Sequence, residues 1–215
     1  MMSKKLLLIG GGGHCKTVIE AIESQSCYDE IGIIDVYENV GKQILNCKIV
    51  GTDQELSRFF NDGFKEAFVA MGSIGNPYKR IGLYQQLKEL GFVLPTISHR
   101  SANISQYARV SEGTLIAKNV IINADTIIGK CAILNTGCIV EHDCVIGDFA
   151  HIAPGSVISG IVNIGKETHV GAGSIVRQNT VIGDQTIIGI GSVVLEDVQS
   201  HSIAFGNPCR KVANN

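Results

Sequence analysis

The C-terminal half of the chain has an aliphatic residue at every sixth position. Sixteen successive positions of this kind, from Ile104 to Val194, are isoleucine, leucine or valine, and the residue two places before each is small or β-branched. Glycine often follows the aliphatic residue, as at Gly129 and Gly147. A short, fixed period is typical of a solenoid in which each repeat stacks on the next. The repeat therefore predicts a parallel β-helix, with the aliphatic and small residues inside and glycines at turns that need positive φ.

This pattern resembles the left-handed hexapeptide β-helix, in which three hexapeptides make one triangular coil. The resemblance covers about residues 102–195 and implies about five coils with no inserted loop. The handedness comes from the resemblance, because the period alone does not determine it. We expect residues 99–215 to form this β-helix domain with a C-terminal tail.

Residues 1–98 have a different pattern, in which apolar strands alternate with helices. Strands are predicted at 4–10, 30–36, 67–72 and 92–99, and helices at 15–24 and 76–91, the second ended by Gly91. This alternation predicts a small parallel α/β domain that is Rossmann-like. The last strand should lead into the β-helix.

The net charge, the apolar segments and the cysteines argue against nucleic-acid binding, membrane insertion and export. The formal net charge of −2 gives no electrostatic basis for binding nucleic acid, and no apolar run approaches the ~18 residues of a membrane span. The N-terminus lacks the long apolar region and cleavage site of a signal peptide. Seven cysteines without a C-x-x-C motif indicate free thiols in a reducing cytoplasm.

A glycine loop, Gly10 to Gly13 followed by His14, connects the first strand to the first helix. Such a loop suits a phosphate at a helix N-terminus, and Asp35 after the second strand is placed to bond a ribose or base. The dinucleotide fingerprint is not met, because its third glycine falls on Cys15 or Lys16. A mononucleotide or nucleotide-sugar site is the favoured interpretation, and a turn without a ligand is the alternative.

The segment GCIVEHDCVIGDFAHIAPG (137–155) places a His142–Asp143 pair where the repeat needs neither residue. A carboxylate beside an imidazole is typical of an oriented general base; a solvated turn histidine with an acidic neighbour is the alternative. His151 falls on another edge of the triangular prism, so the two histidines meet only if prisms pack side by side, as in a homotrimer. A zinc site is disfavoured, because no closely spaced histidine pair exists, and Cys138 and Cys144 fall at inward positions.

The glycine turn, the acid after the second strand, the stretch ILNTGCIVEHDCVIGDFAHIAPGS (133–156) and the closing GNPCRKV together resemble one family. It is the bacterial sugar O-/N-acetyltransferases of the sialic acid O-acetyltransferase type. Within it, the chain is most similar to enzymes that N-acetylate nucleotide-linked 4-amino-4,6-dideoxy sugars of the bacillosamine and perosamine pathways. The resemblance implies acetyl-CoA as donor, no metal, a homotrimer with active sites between subunits, and a nucleotide sugar held by the N-terminal domain.

The resemblance also assigns roles to single residues. His142 becomes the general base that takes a proton from the attacking sugar amine, and Asp143 raises its basicity. The remaining residues contact a substrate. The implied nucleotide-sugar contacts are Gly12, Gly13, His14, Asp35, Val36 and Gly72, with Asn135 as a further substrate contact or a turn-stabilising residue. The implied acetyl-CoA contacts are His151, Gly160, Ala172, Gly173 and Ile190, with Arg210 and Lys211 either near the CoA phosphates or in a solvated tail.

The sequence leaves two other functions open. One is transfer of acetyl to a sugar hydroxyl, as in sialic acid O-acetylation. The other is a nucleotide-sugar-binding module that carries no enzymatic activity. Which nucleotide carries the sugar is not specified by the motifs.

Overall fold

The computed structural model describes residues 3–215, which form an α/β domain followed by a parallel β-helix. This confirms the predicted fold class. The α/β domain has five strands and three α-helices. They are β1 Lys5–Ile9, α1 Gly13–Glu23, β2 Glu30–Ile34, β3 Gln43–Ile44, β4 Cys47–Gly51, α2 Leu56–Asn61, β5 Glu66–Val69 and α3 Tyr78–Glu89.

The five strands form one sheet in the order β3-β4-β2-β1-β5. All neighbours are parallel except β3, which pairs antiparallel with β4. The interior strand β1, between β2 and β5, is buried on both faces, which explains the continuous apolar run Leu6-Leu7-Leu8. The hairpin of β3 and β4 and the helix α2 were not predicted from the sequence.

The β-helix has three faces made of two-residue strands, extended on the first face by a C-terminal hairpin. The first face contains β6 Ile97–Ser98, β9 Leu115–Ile116, β12 Ile133–Leu134, β15 His151–Ile152, β18 His169–Val170, β21 Ile187–Ile188, β23 Ser202–Gly206 and β24 Cys209–Asn214. The second face contains β7 Asn103–Ile104, β10 Ile121–Ile122, β13 Ile139–Val140, β16 Val157–Ile158, β19 Ile175–Val176 and β22 Val193–Val194. The third face contains β8 Arg109–Val110, β11 Ile127–Ile128, β14 Val145–Ile146, β17 Asn163–Ile164 and β20 Val181–Ile182.

The repeat places its aliphatic and small residues as predicted, but the role predicted for the glycines after the aliphatic residues is wrong. Gly129 and Gly147 do not have positive φ, and a Cβ at either would collide with backbone atoms of the next coil. From Ile116 onward the sixth-position aliphatics are buried and form one core cluster with the small residues, including Cys138 and Cys144. Residues one coil apart pair along the same face, so His151 lies directly beside His169. No loop interrupts the coils, because successive strands follow every six residues.

The predicted strand at 92–99 is wrong in extent. Only Ile97–Ser98 forms a strand, and it is the first strand of the β-helix, paired with β9. Val93 makes a single bridge to Glu66 in the α/β domain. Pro95 lies between these two sites, and its missing N–H and fixed φ prevent a continuous strand.

The α/β domain is docked on the first face of the β-helix. Residues of α1, including Val18 and Ile19, share a core cluster with the outward side chains Leu115 and Ile133. Arg80 of α3 is only 3% exposed and donates to the backbone oxygens of Cys131 and Phe149, the latter at 3.4 Å. It therefore joins α3 to two successive coils.

The helices of the described residues are all short. The longest α-helix, α3, has 12 residues, so none between residues 3 and 215 has the length and apolar character to cross a membrane.

Candidate active site

A cleft of about 590 Å³ opens at the C-terminal ends of β4, β2, β1 and β5. Ligands of open α/β sheets bind at this end, where the chain changes direction across the sheet. The lining combines the glycine loop with side chains from several connections: Ile9, Gly10, Gly11, Gly12, Gly13, His14, Ile34, Asp35, Val36, Asn39, Asp53, Ala70, Met71, Gly72, Lys79 and Leu83.

The glycine loop brings the N-terminus of α1 to the floor of the cleft. Gly12 is the N-cap, and no side chain caps the helix. A Cβ at Gly12 or Gly13 would meet no atom within 4 Å, so the backbone is open to the cleft. The first N–H groups of a helix lack intrahelical partners and favour an anion. This end of the cleft floor is therefore suited to a phosphate group.

The carboxylate of Asp35 also binds the backbone of the glycine loop, a contact that the sequence does not indicate. Its Oδ2 accepts the Gly11 N–H at 2.7 Å and its Oδ1 accepts the Val36 N–H at 2.6 Å. A Cβ at Gly11 would collide with this carboxylate. Asp35 therefore fixes the glycine loop to the end of β2, beside any contact that it makes with a ribose or base.

His14 is held neutral in the cleft wall. Burial, with a smaller contribution from the nearby Arg80 charge, lowers the pKa of His14 to about 4. Its ring packs near Gly72, and its Nε2 is buried with no hydrogen-bond partner among residues 3–215. A buried ring nitrogen without a partner in a cleft wall is a group that a bound ligand can satisfy.

Three polar residues of the cleft were missed from the sequence. Lys79 lies at the start of α3, Asn39 follows β2 and Asp53 follows β4. All three lie in a connection that follows a parallel strand or at the start of the next helix, and this position could have indicated them. For Asp53 it could not, because β4 was not predicted. The lysine adds a positive charge to a cleft that already presents a helix N-terminus.

His142 and Asp143 lie on the edge between the second and third faces. The Nδ1–H of His142 donates to Oδ2 of Asp143 at 2.7 Å, and about half of each side chain is exposed. An ionised carboxylate only accepts, so Nδ1 carries the proton of this hydrogen bond and Nε2 is the ring nitrogen left to accept a proton. The geometry is that of an oriented general base.

Gly160 lies one coil from His142 and packs against its ring. A Cβ at Gly160 would come within 2.7 Å of Cε1 and 2.8 Å of Nε2. Cβ atoms essentially never make contacts this short, so an alanine at this position would force the imidazole to move from its present place. The predicted acetyl-CoA contact is therefore also part of the immediate support of His142.

His151 is buried beneath the loop that follows β5. Its Nδ1–H donates to the Ser73 carbonyl at 2.8 Å, and its Nε2 lies 3.2 Å from the amide of Asn135. Its ring stacks edge-on with His169 at 4.8 Å. Burial lowers the pKa of His151 to about 3, so the ring is neutral. His151 and Asn135 are thus brought together at the junction of the two domains.

Four of the predicted acetyl-CoA contacts fall on two different edges of the prism. His151 lies within the first face, in β15, and not on an edge as expected from the sequence. Gly160 is beside His142 on the edge between the second and third faces, whereas Ala172, Gly173 and Ile190 lie on the edge between the first and second faces. Ile190 is 80% exposed there. These groups flank the second face from opposite sides, and one chain does not bring them together.

Arg210 and Lys211 lie in β24, which forms the C-terminal hairpin with β23 at the end of the first face. Both side chains are exposed, and the guanidinium of Arg210 donates to the Cys209 carbonyl at 3.0 Å. Across residues 3–215 no three His, Cys, Asp or Glu side chains converge as ligands for a metal ion.

Two family models match the chain. The PglD N-terminal domain matches residues 5–87, which contain the cleft, and the bacterial transferase hexapeptide family matches residues 125–160, which contain His142. The hexapeptide match supports the left-handed form of the β-helix.

Solved structures match over the whole length. A histidine-to-asparagine variant of perosamine N-acetyltransferase from Caulobacter crescentus, in complex with CoA and GDP-perosamine, is 33% identical with a TM-score of 0.92, over 100% of this chain and 99% of that chain. The acetyltransferase domain of PglB from Neisseria gonorrhoeae is 30% identical with a TM-score of 0.90, over 97% and 100%. WeeI from Acinetobacter baumannii, at 22% identity and a TM-score of 0.86 over 98% and 100%, shares the fold.

Both domains, their order and their connection are therefore common to this chain and to two acetyltransferases that it matches from end to end. The chain belongs to the family of hexapeptide-repeat sugar N-acetyltransferases of the bacillosamine and perosamine type.

Proposed function

We propose that the protein transfers acetyl from acetyl-CoA to the 4-amino group of a nucleotide-linked 4-amino-4,6-dideoxy sugar, for the synthesis of a glycan or surface polysaccharide. The observation that carries the proposal is the His142–Asp143 pair on a β-helix whose other domain holds a nucleotide-sized cleft. Related structures contain CoA with GDP-perosamine, and acetyl coenzyme A.

The transfer requires one placed base. Nε2 of His142 takes the proton of the amine as its nitrogen bonds to the thioester carbonyl carbon, while Asp143 stabilises the imidazolium. When the tetrahedral intermediate collapses, the C–S bond breaks and the proton passes to the leaving sulfur. A base placed in this way contributes roughly 10²–10⁴-fold to the rate.

The cleft is oriented with respect to the β-helix. The β5 end leads through Ser73 to His151 on the first face, whereas the β4 end is on the far side of the sheet. The diphosphate is expected at Gly12, Gly13 and Lys79, with the sugar directed to the β5 end. Asn135, oriented between His151 and Thr136, then lies on the sugar side.

A homotrimer assembles the two halves of the acyl site. The outward row of the second face is aliphatic from Ile121 to Val193, whereas the third face carries Arg109 and Asn163 in its row. Packing by the second face brings the His142 edge of one subunit to the Ala172 and Ile190 edge of the next, and pantetheine fits between them. Light scattering that gives three times the monomer mass supports this arrangement, and a fully active monomer would contradict it.

All seven cysteines are free in the described chain. Burial raises the pKa of Cys138 to about 12, so that thiol stays protonated and unreactive. Free thiols of this kind are consistent with the cytoplasm as the compartment.

Identification of the product tests the function. The protein is incubated with acetyl-CoA and with GDP-, UDP- or dTDP-linked 4-amino-4,6-dideoxy sugars, with free sialic acid in parallel. We expect one nucleotide amino sugar to gain the mass of an acetyl group on nitrogen. An acetyl ester on the sugar acid would instead establish O-acetylation, and nucleotide binding without CoA consumption would indicate a binding module.

A further inference from the structure

The nucleotide base of the substrate is expected at one particular end of the cleft. It spans the ends of four adjacent strands, β5, β1, β2 and β4, which at ~4.8 Å per strand is roughly 14 Å. With the sugar at the β5 end and the diphosphate at the N-terminus of α1, the base lies at the β2 and β4 end. Three polar side chains lie at that end, namely Asp35, Asn39 and Asp53. Both carboxylate oxygens of Asp35 already accept backbone N–H groups, from Gly11 and Val36, so Asn39 and Asp53 have the groups that a base can use.

The side-chain amide of Asn39 is hydrogen-bonded to a neighbouring lysine. Its Oδ1 accepts from Nζ of Lys42 at 2.8 Å, so the oxygen is directed to the lysine and the two N–H groups of Nδ2 are left to donate. Because Asn39 lines the cleft, these two N–H groups are available to a ligand bound there.

Asp53 offers only acceptors. Within residues 3–215 its carboxylate makes no side-chain hydrogen bond or ion pair, although it begins a 3₁₀ helix, Asp53–Glu55, that is held by a capping box of its neighbours Thr52 and Glu55. An ionised carboxylate has two oxygens that can accept from a pair of adjacent donors. Val36, 55% exposed, adds an apolar surface near this end of the cleft.

We propose, on the basis of the proposed function, that Asp53 and Asn39 select guanine as the base of the sugar carrier. Guanine presents an acceptor, O6, beside two donors, N1–H and the 2-amino group. The donor amide of Asn39 matches O6, and the carboxylate of Asp53 matches the two donors. Uracil and thymine present one N–H between two carbonyl oxygens, so one of these oxygens would face the carboxylate. Adenine has no N1–H.

Nucleoside diphosphate binding tests this selection without acetyl transfer. Isothermal titration calorimetry of the full-length protein with GDP, IDP, XDP, UDP and dTDP should rank GDP first, at least tenfold tighter than UDP or dTDP. IDP, which lacks the 2-amino group, should bind about tenfold more weakly than GDP. A bidentate contact to a base typically changes affinity by roughly one to two orders of magnitude.

Asp53→Asn gives the sharper test. An asparagine accepts from N1–H and donates to O2 of xanthine, so this variant should lose at least tenfold in GDP affinity and gain in XDP affinity. Asp62→Asn, which removes an exposed carboxylate outside the cleft lining, is the control and should leave both affinities unchanged. Circular dichroism of both variants checks that the fold is retained.

Equal or tighter binding of UDP or dTDP than of GDP would overturn the assignment, as would an Asp53→Asn variant with unchanged preference. The outcome is separable from the proposed function. Guanine-selective binding by a protein that acetylates no amino sugar would support the base assignment and contradict the proposed acetyltransferase activity. Acetylation of a UDP- or dTDP-linked sugar alone would do the reverse.

Discussion

At the residue scale, the position of His142 depends on two neighbours that act differently. Asp143 holds the Nδ1–H by a hydrogen bond of 2.7 Å from a turn with φ of 58°, a conformation that aspartate tolerates better than most residues. Gly160 acts by lacking a side chain, which leaves room for the ring. Asp143 therefore determines the tautomer of His142, and Gly160 determines where its ring lies.

Asp143→Asn should lower kcat by about 10–10²-fold while leaving KM for the nucleotide sugar within about twofold. The amide removes the negative charge that stabilises the imidazolium as the amine proton is transferred. Steady-state kinetics measures both constants. Asp125→Asn is the matched control, because Asp125 occupies the same turn one coil away with φ of 57°. Equal losses in the two variants would refute the role of Asp143.

Gly160→Ala should reduce kcat by about 10²-fold, because its Cβ displaces the imidazole and a shift of about 1 Å can have this effect. Gly82→Ala, on α3 with no atom within 4 Å of the added carbon, controls for the loss of glycine flexibility and should retain full activity. Full activity in Gly160→Ala would show that the observed position of the His142 ring is not required for catalysis.

At the element scale, the sequence is most informative where a period repeats. The six-residue period predicts every coil from Ile104 to Val194, because the solenoid imposes the same inward position in each repeat. The α/β domain has only local signals, so β1, β2, β5, α1 and α3 are predicted, whereas the short hairpin of β3 and β4 is not.

The candidate site shows the same division. The His142–Asp143 pair is adjacent in sequence and was predicted from it, and the structure gives their hydrogen bond. Asn39, Asp53 and Lys79 come from three separate connections, and only the strand order brings them to one cleft. The contact of His151 with Ser73 likewise depends on how the two domains dock, which no local pattern contains.

The docking of α3 on the β-helix should depend on Arg80. Arg80→Met keeps most of the volume but leaves the buried carbonyls of Cys131 and Phe149 without their donor. We expect a loss of roughly 1.5–3 kcal/mol in the free energy of unfolding, the range for hydrogen bonds to charged groups. Urea unfolding measures it. Arg58→Met, which breaks exposed ion pairs with Glu55 and Asp62, should lose less than about 1 kcal/mol. Similar losses in both would contradict the role of Arg80 in docking.

At the scale of the whole molecule, three histidines lie near the junction of the two domains: His151 and His169 are buried and His14 is half-buried. Burial lowers the pKa of His14 to about 4 and that of His151 to about 3, and it also lowers the pKa of His169. Each ordinary value is 6.5. Below about pH 6.5 the unfolded chain therefore binds protons that the folded protein excludes.

This difference makes stability fall with acidification. Between about pH 6.5 and pH 4 we expect the free energy of unfolding to decrease by about 1.4 kcal/mol per pH unit for each excluded proton. Urea titrations at several pH values measure the slope. His14→Gln should reduce the slope by about one histidine's contribution, whereas His201→Gln, at an exposed turn, should not change it. The same slope in wild type and His14→Gln would contradict the neutral state of His14.

In the proposed reaction, His142 is the general base of acetyl transfer. The most direct test is the initial rate of CoA release from acetyl-CoA, detected with a thiol reagent, for wild type and His142→Ala with a GDP-linked 4-amino-4,6-dideoxy sugar. We predict release by the wild type and a rate at least 10²-fold lower in the variant, with GDP affinity and oligomeric mass unchanged. A near-normal rate in His142→Ala would show that another group removes the proton and would contradict the proposed chemistry.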